Sequence, residues 1–103
     1  MSKVLLVDDD VELVDMLKEY LSIEGFAVDT AYSGEVGLAR AISGEYSLVV
    51  LDVMMPRMSG IEVLKHLRQR SSLPVLMMAG GLGLVAAVLV LRIGHQSRAP
   101  AQA

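Results

Sequence analysis

The chain contains no cysteine, so disulfide staples and thiolate metal sites are excluded and packing alone must hold the fold. It also lacks a basic excess. Formal net charge is −3, which argues against direct nucleic-acid binding by this chain alone. The opening "MSKVLLVDDD" has no charged-then-apolar leader and is not read as a signal peptide. No internal repeat is visible. Acidic residues are missing from 74–103, where Arg92 and Arg98 are the only charged side chains, and Val75 to Leu91 carries no charge at all. Residues 1–73 hold all twelve acidic groups and seven of the nine basic ones. At 103 residues there is room for one small domain, and its composition divides it between Pro74 and Gly83.

What is present is an alternation of short apolar runs and amphipathic stretches. "KVLLV" at 3–7 reads as a strand buried on both faces, as in a parallel sheet. Asp9 or Asp10 then caps a helix, with Leu13, Val14, Leu17 and Leu21 on one stripe. Gly25 stops it. Phe26 to Ala31 reads as a second strand, and Ser33 opens a helix to about Ile42 that Gly44 ends. Leu48 to Leu51 is a third strand. "MMPRMSG" is a loop, and Ser59 caps a third helix with Ile61, Leu64 and Leu67 inward. "PVLMM" at 74–78 is a fourth strand. Strands alternating with helices predict a three-layer, doubly wound α/β fold on a parallel sheet.

Two stretches carry chemistry. "LVDDDVEL" places Asp8 and Asp9 just after the first strand, and "VVLDVMMP" places Asp52 just after the third. In open α/β sheets, ligands bind beyond the carboxyl ends of the strands. If these two strands are neighbours, three carboxylates converge. That is costly unless a cation neutralises them or some stay protonated. Magnesium suits such a set, because it takes oxygen ligands and keeps positions for water and phosphate oxygens. An aspartate beside the ion can carry a phosphoryl group as a nucleophile. Asp10 reads as a helix cap.

"KVLLVDDD", "LVVLDVMMPRMSGIEVLKHLR" and "LPVLMM" resemble the receiver domain of bacterial two-component response regulators, in the class that carries a winged-helix DNA-binding domain. The resemblance spans about residues 2–78. It implies the receiver (flavodoxin-like) fold. It also implies Asp52 as phosphoacceptor, Asp9 as a direct Mg2+ ligand, Asp8 holding metal-bound water, and the Met54 backbone carbonyl as a further ligand. The donor it implies is a phosphohistidine on a sensor histidine kinase. It further implies a cytoplasmic protein that is not itself an enzyme.

The chain departs from the family's pattern after residue 78. Ala79 stands where the family has a Ser or Thr hydroxyl, and the last lysine is Lys65, so the family's strand-five lysine has no counterpart. The expected architecture is therefore a receiver-like domain over 1–79 that lacks a recognisable fourth helix, fifth strand and fifth helix. An apolar tail over 80–103 follows, helical to about 94 and then disordered. Strand four would be left as an exposed apolar edge. Three readings of the tail stand side by side: a truncated or frameshifted gene end, an apolar helix over the sheet edge, or a short membrane anchor flanked by Arg92, His95 and Arg98. As a helix, Val75 to Leu91 spans about 25 Å, short of the ~30 Å hydrocarbon core.

Other residues attract plainer readings. Met54, Met55 and Met58 lack Cys or His neighbours and read as loop packing. His66 reads as a surface residue, Arg57 as a solvated loop charge, and "GGLG" at 80–83 as a joint without the phosphate-loop pattern. The function expected is phosphorelay signalling through Asp52, impaired by the missing hydroxyl and lysine. The alternative is a non-phosphorylated interaction module, or a non-functional fragment.

Overall fold

The computed structural model describes residues 3–79 and the backbone of residues 86–90. β1 (Lys3–Val7), β2 (Ala27–Ala31), β3 (Leu48–Asp52), β4 (Val75–Ala79) and β5 (Ala86–Val90) form one sheet in the order β2-β1-β3-β4-β5. The first four are mutually parallel, and the winding reverses between β1 and β3. Three helices connect them: α1 (Val11–Ile23), α2 (Gly34–Ser43) and α3 (Gly60–Arg68).

The continuous apolar runs are explained by the pleat. Successive side chains point to opposite faces, so Leu5 and Val7 enter the core under α2 and α3, while Val4 and Leu6 enter the core under α1. β3 divides the same way, with Val49 and Leu51 on one side and Val50 on the other. Both faces are covered, so neither strand can alternate with polar residues.

The helices start where their caps allow. The Asp10 carboxylate accepts from the Leu13 N–H at 3.1 Å and caps α1. Gly25, at φ 100°, ends the segment in a conformation that costs glycine nothing. Ser33 caps α2 by accepting from Val36 N–H. α3 begins with a capping box: Ser59 Oγ accepts from Glu62 N–H at 3.2 Å, and Glu62 Oε1 accepts from Ser59 N–H at 3.0 Å.

The two faces differ. α2 and α3 close one face over eleven buried residues, among them Leu51, Leu67 and Val75. Gly37 is part of that fit: a Cβ there would lie 2.5 Å from Val7 Cγ1. Among the described residues, α1 is the helix that covers the other face. Four residues are buried there, and Leu17, Leu21, Leu48, Leu76 and Met78 remain half-buried around them.

Three expectations need correction. Ile61 points outward and is 47% exposed, and the inward positions of α3 are Val63 and Leu67, with Leu64 packed at the margin. The helix begins at Gly60, so its inward stripe starts one residue earlier than the loop motif suggested. The uncharged run from Val75 to Leu91 does not form one helix. It supplies β4 and β5, which pair antiparallel from Val75↔Val90 to Ala79↔Ala86. Its Val- and Leu-rich composition suits the pleat, and strand pairing satisfies backbone groups that an edge would leave open. The edge of β4 is therefore occupied, and a fifth strand exists, in the antiparallel sense. Among the described residues, no helix is long and apolar enough to cross a membrane. The remainder of the predicted tail helix and its disordered end (80–85 and 91–103), with "GGLG" and His95, lies outside the described residues.

Candidate functional site

The site forms because β1 and β3 are neighbours with Val7 opposite Leu51. Each strand therefore delivers its next residue to the same edge of the sheet. Asp8 follows β1, and its N–H still donates to the Ala31 carbonyl at 3.1 Å. Asp52 closes β3. Carboxylate oxygens of Asp8, Asp9 and Asp52 all lie within 4.8 Å of one another. Asp8 and Asp52 are buried, at 4% and 8% exposure, and are the two buried charged side chains of the described core, while Asp9 is exposed.

Burial sets the electrostatics. Removing Asp8 from water disfavours its charged form and pushes its pKa up to about 6. A hydrogen bond from Asp10 N–H at 3.0 Å pulls the other way, and the nearby charge of Asp52 adds to the rise. Asp52 is raised as well, again mainly by burial, against the stabilising N–H of Met54 at 3.3 Å. A carboxyl–carboxylate hydrogen bond between the two raises Asp8 and lowers Asp52, so Asp8 is the member that keeps the proton. A cluster of this kind favours a cation or a shared proton. With oxygen donors only, and no sulfur or imidazole among them, the donor set fits a hard divalent cation.

The loop behind Asp52 is tightly positioned. Val53 N–H donates to the Met78 carbonyl at 2.9 Å and ties the loop to β4. Gly60 N–H donates to the Val53 carbonyl at 3.0 Å. A Cβ on Gly60 would lie 2.1 Å from the Asp52 carbonyl oxygen, so only glycine permits α3 to start this close to the acidic residue. Sequence reading treated Gly60 as a loop breaker and missed this role; its one signal was its place directly after the capping Ser59. Met54 sits two residues beyond Asp52 with its side chain 75% exposed, while Met55 is buried in the core and Met58 packs against it. Arg57 holds a left-handed φ of 65° and faces Glu35 at 3.8 Å, both well exposed.

Asp10 serves as the cap and not as a member of the trio, which leaves Asp9 free to face the site. Ala79 ends β4, one residue past Met78, which stands opposite Asp52. The last position of that strand, next to the one paired with Asp52, thus carries a methyl group. A second polar cluster, at the opposite end of β1, was not read from sequence: Lys3 pairs with Asp29 at 3.4 Å and lies over the Tyr46 ring, whose hydroxyl donates to Asp29 at 2.7 Å. Its residues come from three separate segments with no local motif. Lys3 is thereby engaged far from the three aspartates.

Comparison with known proteins agrees with this geometry. The profile of the response regulator receiver domain matches residues 4–97, extending past the limit near 78 that the motifs alone supported. The CpxR homolog of Haemophilus influenzae, a transcriptional regulatory protein, is 45% identical over 100 residues, which is 97% of this chain and 44% of that protein. CpxR of Escherichia coli is 44% identical over 97% of this chain and 43% of its own length. The chain thus spans less than half the length of these curated relatives. Among solved structures, the response regulator TrrA from Thermotoga maritima, in complex with Mg2+ and BeF, superposes with a TM-score of 0.74 at 39% identity, covering 77% of this chain and 70% of that one. The same regulator in complex with histidine kinase ThkA gives a TM-score of 0.73 at 38% identity, over 78% and 70% of the two chains. With four parallel strands in the order 2-1-3-4, aspartates at the ends of the first and third, and a profile match over residues 4–97, this chain belongs to the response regulator receiver domain family.

Proposed function

We propose that this receiver accepts a phosphoryl group on Asp52 from a phosphohistidine of a sensor histidine kinase, with Mg2+ held by Asp8, Asp9, Asp52 and the Met54 carbonyl. The observation that carries this reading is the convergence of three carboxylates within 4.8 Å at two neighbouring strand ends. When bound, the ion neutralises the acidic cluster and screens an incoming anion. In the transfer, an Asp52 carboxylate oxygen forms a bond to phosphorus as the phosphorus–nitrogen bond breaks, and the departing imidazole nitrogen keeps the electron pair. With Mg2+ bound, the raised carboxyls of Asp8 and Asp52 are drawn into their charged forms, the form in which Asp52 is a nucleophile. The Met54 N–H and the tie between Val53 and Met78 fix the direction of the Asp52 side chain.

In this reading the domain is a stoichiometric acceptor and not a turnover enzyme, and it works in the cytoplasm. The kinase partner is supported by the TrrA–ThkA complex. Uptake is slow and signal transmission is poor. Ala79 offers no hydroxyl to the phosphoryl group, and the chain's three lysines are Lys3, Lys18 and Lys65, in β1, α1 and α3. Ala79 also favours a second reading, a module that binds a kinase or another receiver through its α1 face without phosphorylation. Direct DNA binding is not part of either reading, given the net charge of −3.

Phosphoryl incorporation from a small acyl-phosphate donor, with and without Mg2+, separates the two. The expected result is slow, Mg2+-dependent labelling that Asp52→Asn abolishes. Labelling that persists in Asp52→Asn would remove Asp52 from the role. No labelling of the folded protein would favour the second reading.

A further inference from the structure

Asp10 is tied on three sides. Its backbone N–H donates to Asp8 Oδ1 at 3.0 Å. Its own Oδ1 accepts from the Leu13 N–H at 3.1 Å. Its carbonyl accepts from the Val14 N–H at 3.0 Å, the bond that opens the helical ladder of α1. One residue thus joins the acidic site to the first turn of a helix.

Both ends of this chain of bonds are anchored. Val14, on α1, is fully buried among Val4, Leu6 and Val50, so the helix is fixed to the sheet one turn past the cap. Asp8 is buried, and its N–H is held by the Ala31 carbonyl at 3.1 Å. Between the anchors lie Asp9, which is exposed, and Asp10, which is half-buried. With an extended backbone, φ −84° and ψ 96°, Asp10 reaches back to Asp8 through its N–H and forward to Leu13 through its carboxylate. Any residue but proline brings that N–H. The side chain adds the fixed turn: the Asp9–Asp10 peptide cannot swing without giving up the bond to Asp8 or the bond to Leu13. Partners outside the ligand set commonly orient metal ligands in this way.

We propose that Asp10 is a positioning residue for the metal site: its cap on α1 holds the turn that aims the Asp8 carboxylate and the backbone of Asp9. The inference rests on the Mg2+ reading above and adds to it a residue outside the ligand set. The contribution is geometric, so it requires a capping acceptor and not a negative charge.

Calorimetric titration of the full chain with Mg2+ tests it, together with amide hydrogen exchange of the metal-free protein. Asp10→Ala removes the cap. It should weaken Mg2+ binding at least about tenfold, and it should speed exchange at the Asp10 and Leu13 amides before any ion is added. Asp10→Asn and Asp10→Ser keep a capping acceptor without the charge and should bind Mg2+ clearly more tightly than Asp10→Ala. Ser33→Ala removes the equivalent bond from α2, made to the Val36 N–H, and should leave Mg2+ affinity unchanged. Equal affinity in Asp10→Ala and wild type overturns the proposal, as does unchanged exchange at the Asp10 amide. So does an equal loss in Ser33→Ala, which would make the effect one of helix stability. An equal loss in Asp10→Asn and Asp10→Ser would make it one of charge and also overturn it. A wild-type chain that takes up no Mg2+ overturns the metal reading itself and this inference with it, whereas a wild type that binds no better than Asp10→Ala overturns the inference alone.

Discussion

Among the described residues, the two faces of the sheet are covered to different depths. Under α2 and α3, Leu5, Leu51, Leu67, Val63 and Val75 are at or near zero exposure, and a glycine had to replace any larger residue where α2 crosses Val7. Under α1, strands of the same composition end in half-buried leucines and an open groove. The strands do not differ in kind, since Leu5 and Leu6 are neighbours in one segment. Among the described residues, two helices lie over one face and one over the other. Burial is a property of the assembled layers, and the same apolar residue contributes strongly or weakly according to what covers it.

The widest contrast should appear on truncating leucines. Leu67→Ala, on the closed face, leaves a void that cannot collapse and should cost about 3–4 kcal/mol by chemical denaturation. If it costs no more than a change in the groove, the two faces are not distinct. Next in size is the acidic rim that both faces share. The Asp8 carboxyl binds its proton more tightly when folded, at about 6 against 3.8 ordinarily. Without divalent ions, stability should therefore fall as pH rises from about 4 to above 6, by on the order of 2 kcal/mol. Asp29, lowered chiefly by its hydrogen bond from Tyr46, works in the opposite sense but is more exposed. Thermal melts across this range should show the decline in wild type and a flatter profile in Asp8→Asn. Added Mg2+ should restore stability at neutral pH in wild type only. Leu21→Ala, in the wall of the groove, should cost about 1 kcal/mol, since water already reaches the site. An equal cost to Leu67→Ala would mean the groove is filled in solution. The smallest effect belongs to Ser59→Ala, which opens the capping box of α3 and should cost about 1 kcal/mol or less.

Much of this was legible because local rules and layer rules agree. Asp10, Ser33 and Ser59 are caps by residue type alone, and the two-sided burial of "KVLLV" and "LVVLD" announces parallel strands. Convergence of Asp8, Asp9 and Asp52 followed once β1 and β3 were taken as neighbours. What could not be read depends on contacts between distant segments. Ile61 and Val63 are both β-branched and two apart, and only the docking of α3 decides which turns inward. Gly60 owes its necessity to a carbonyl eight residues earlier. The strand at 86–90 was misread as helix because an uncharged run of valine, leucine and alanine satisfies either periodicity until a partner edge is present.

That strand has a directional consequence. Because β5 runs against β4, with Val90 beside Val75, the chain leaves the sheet at the pole opposite Asp52. A parallel strand in the same place would release it beside the acidic pocket. At Val90 the described backbone therefore stands at the opposite end of the ladder from Asp52, and the hydrogen bonds of β3, β4 and β5 are the described path that links the two.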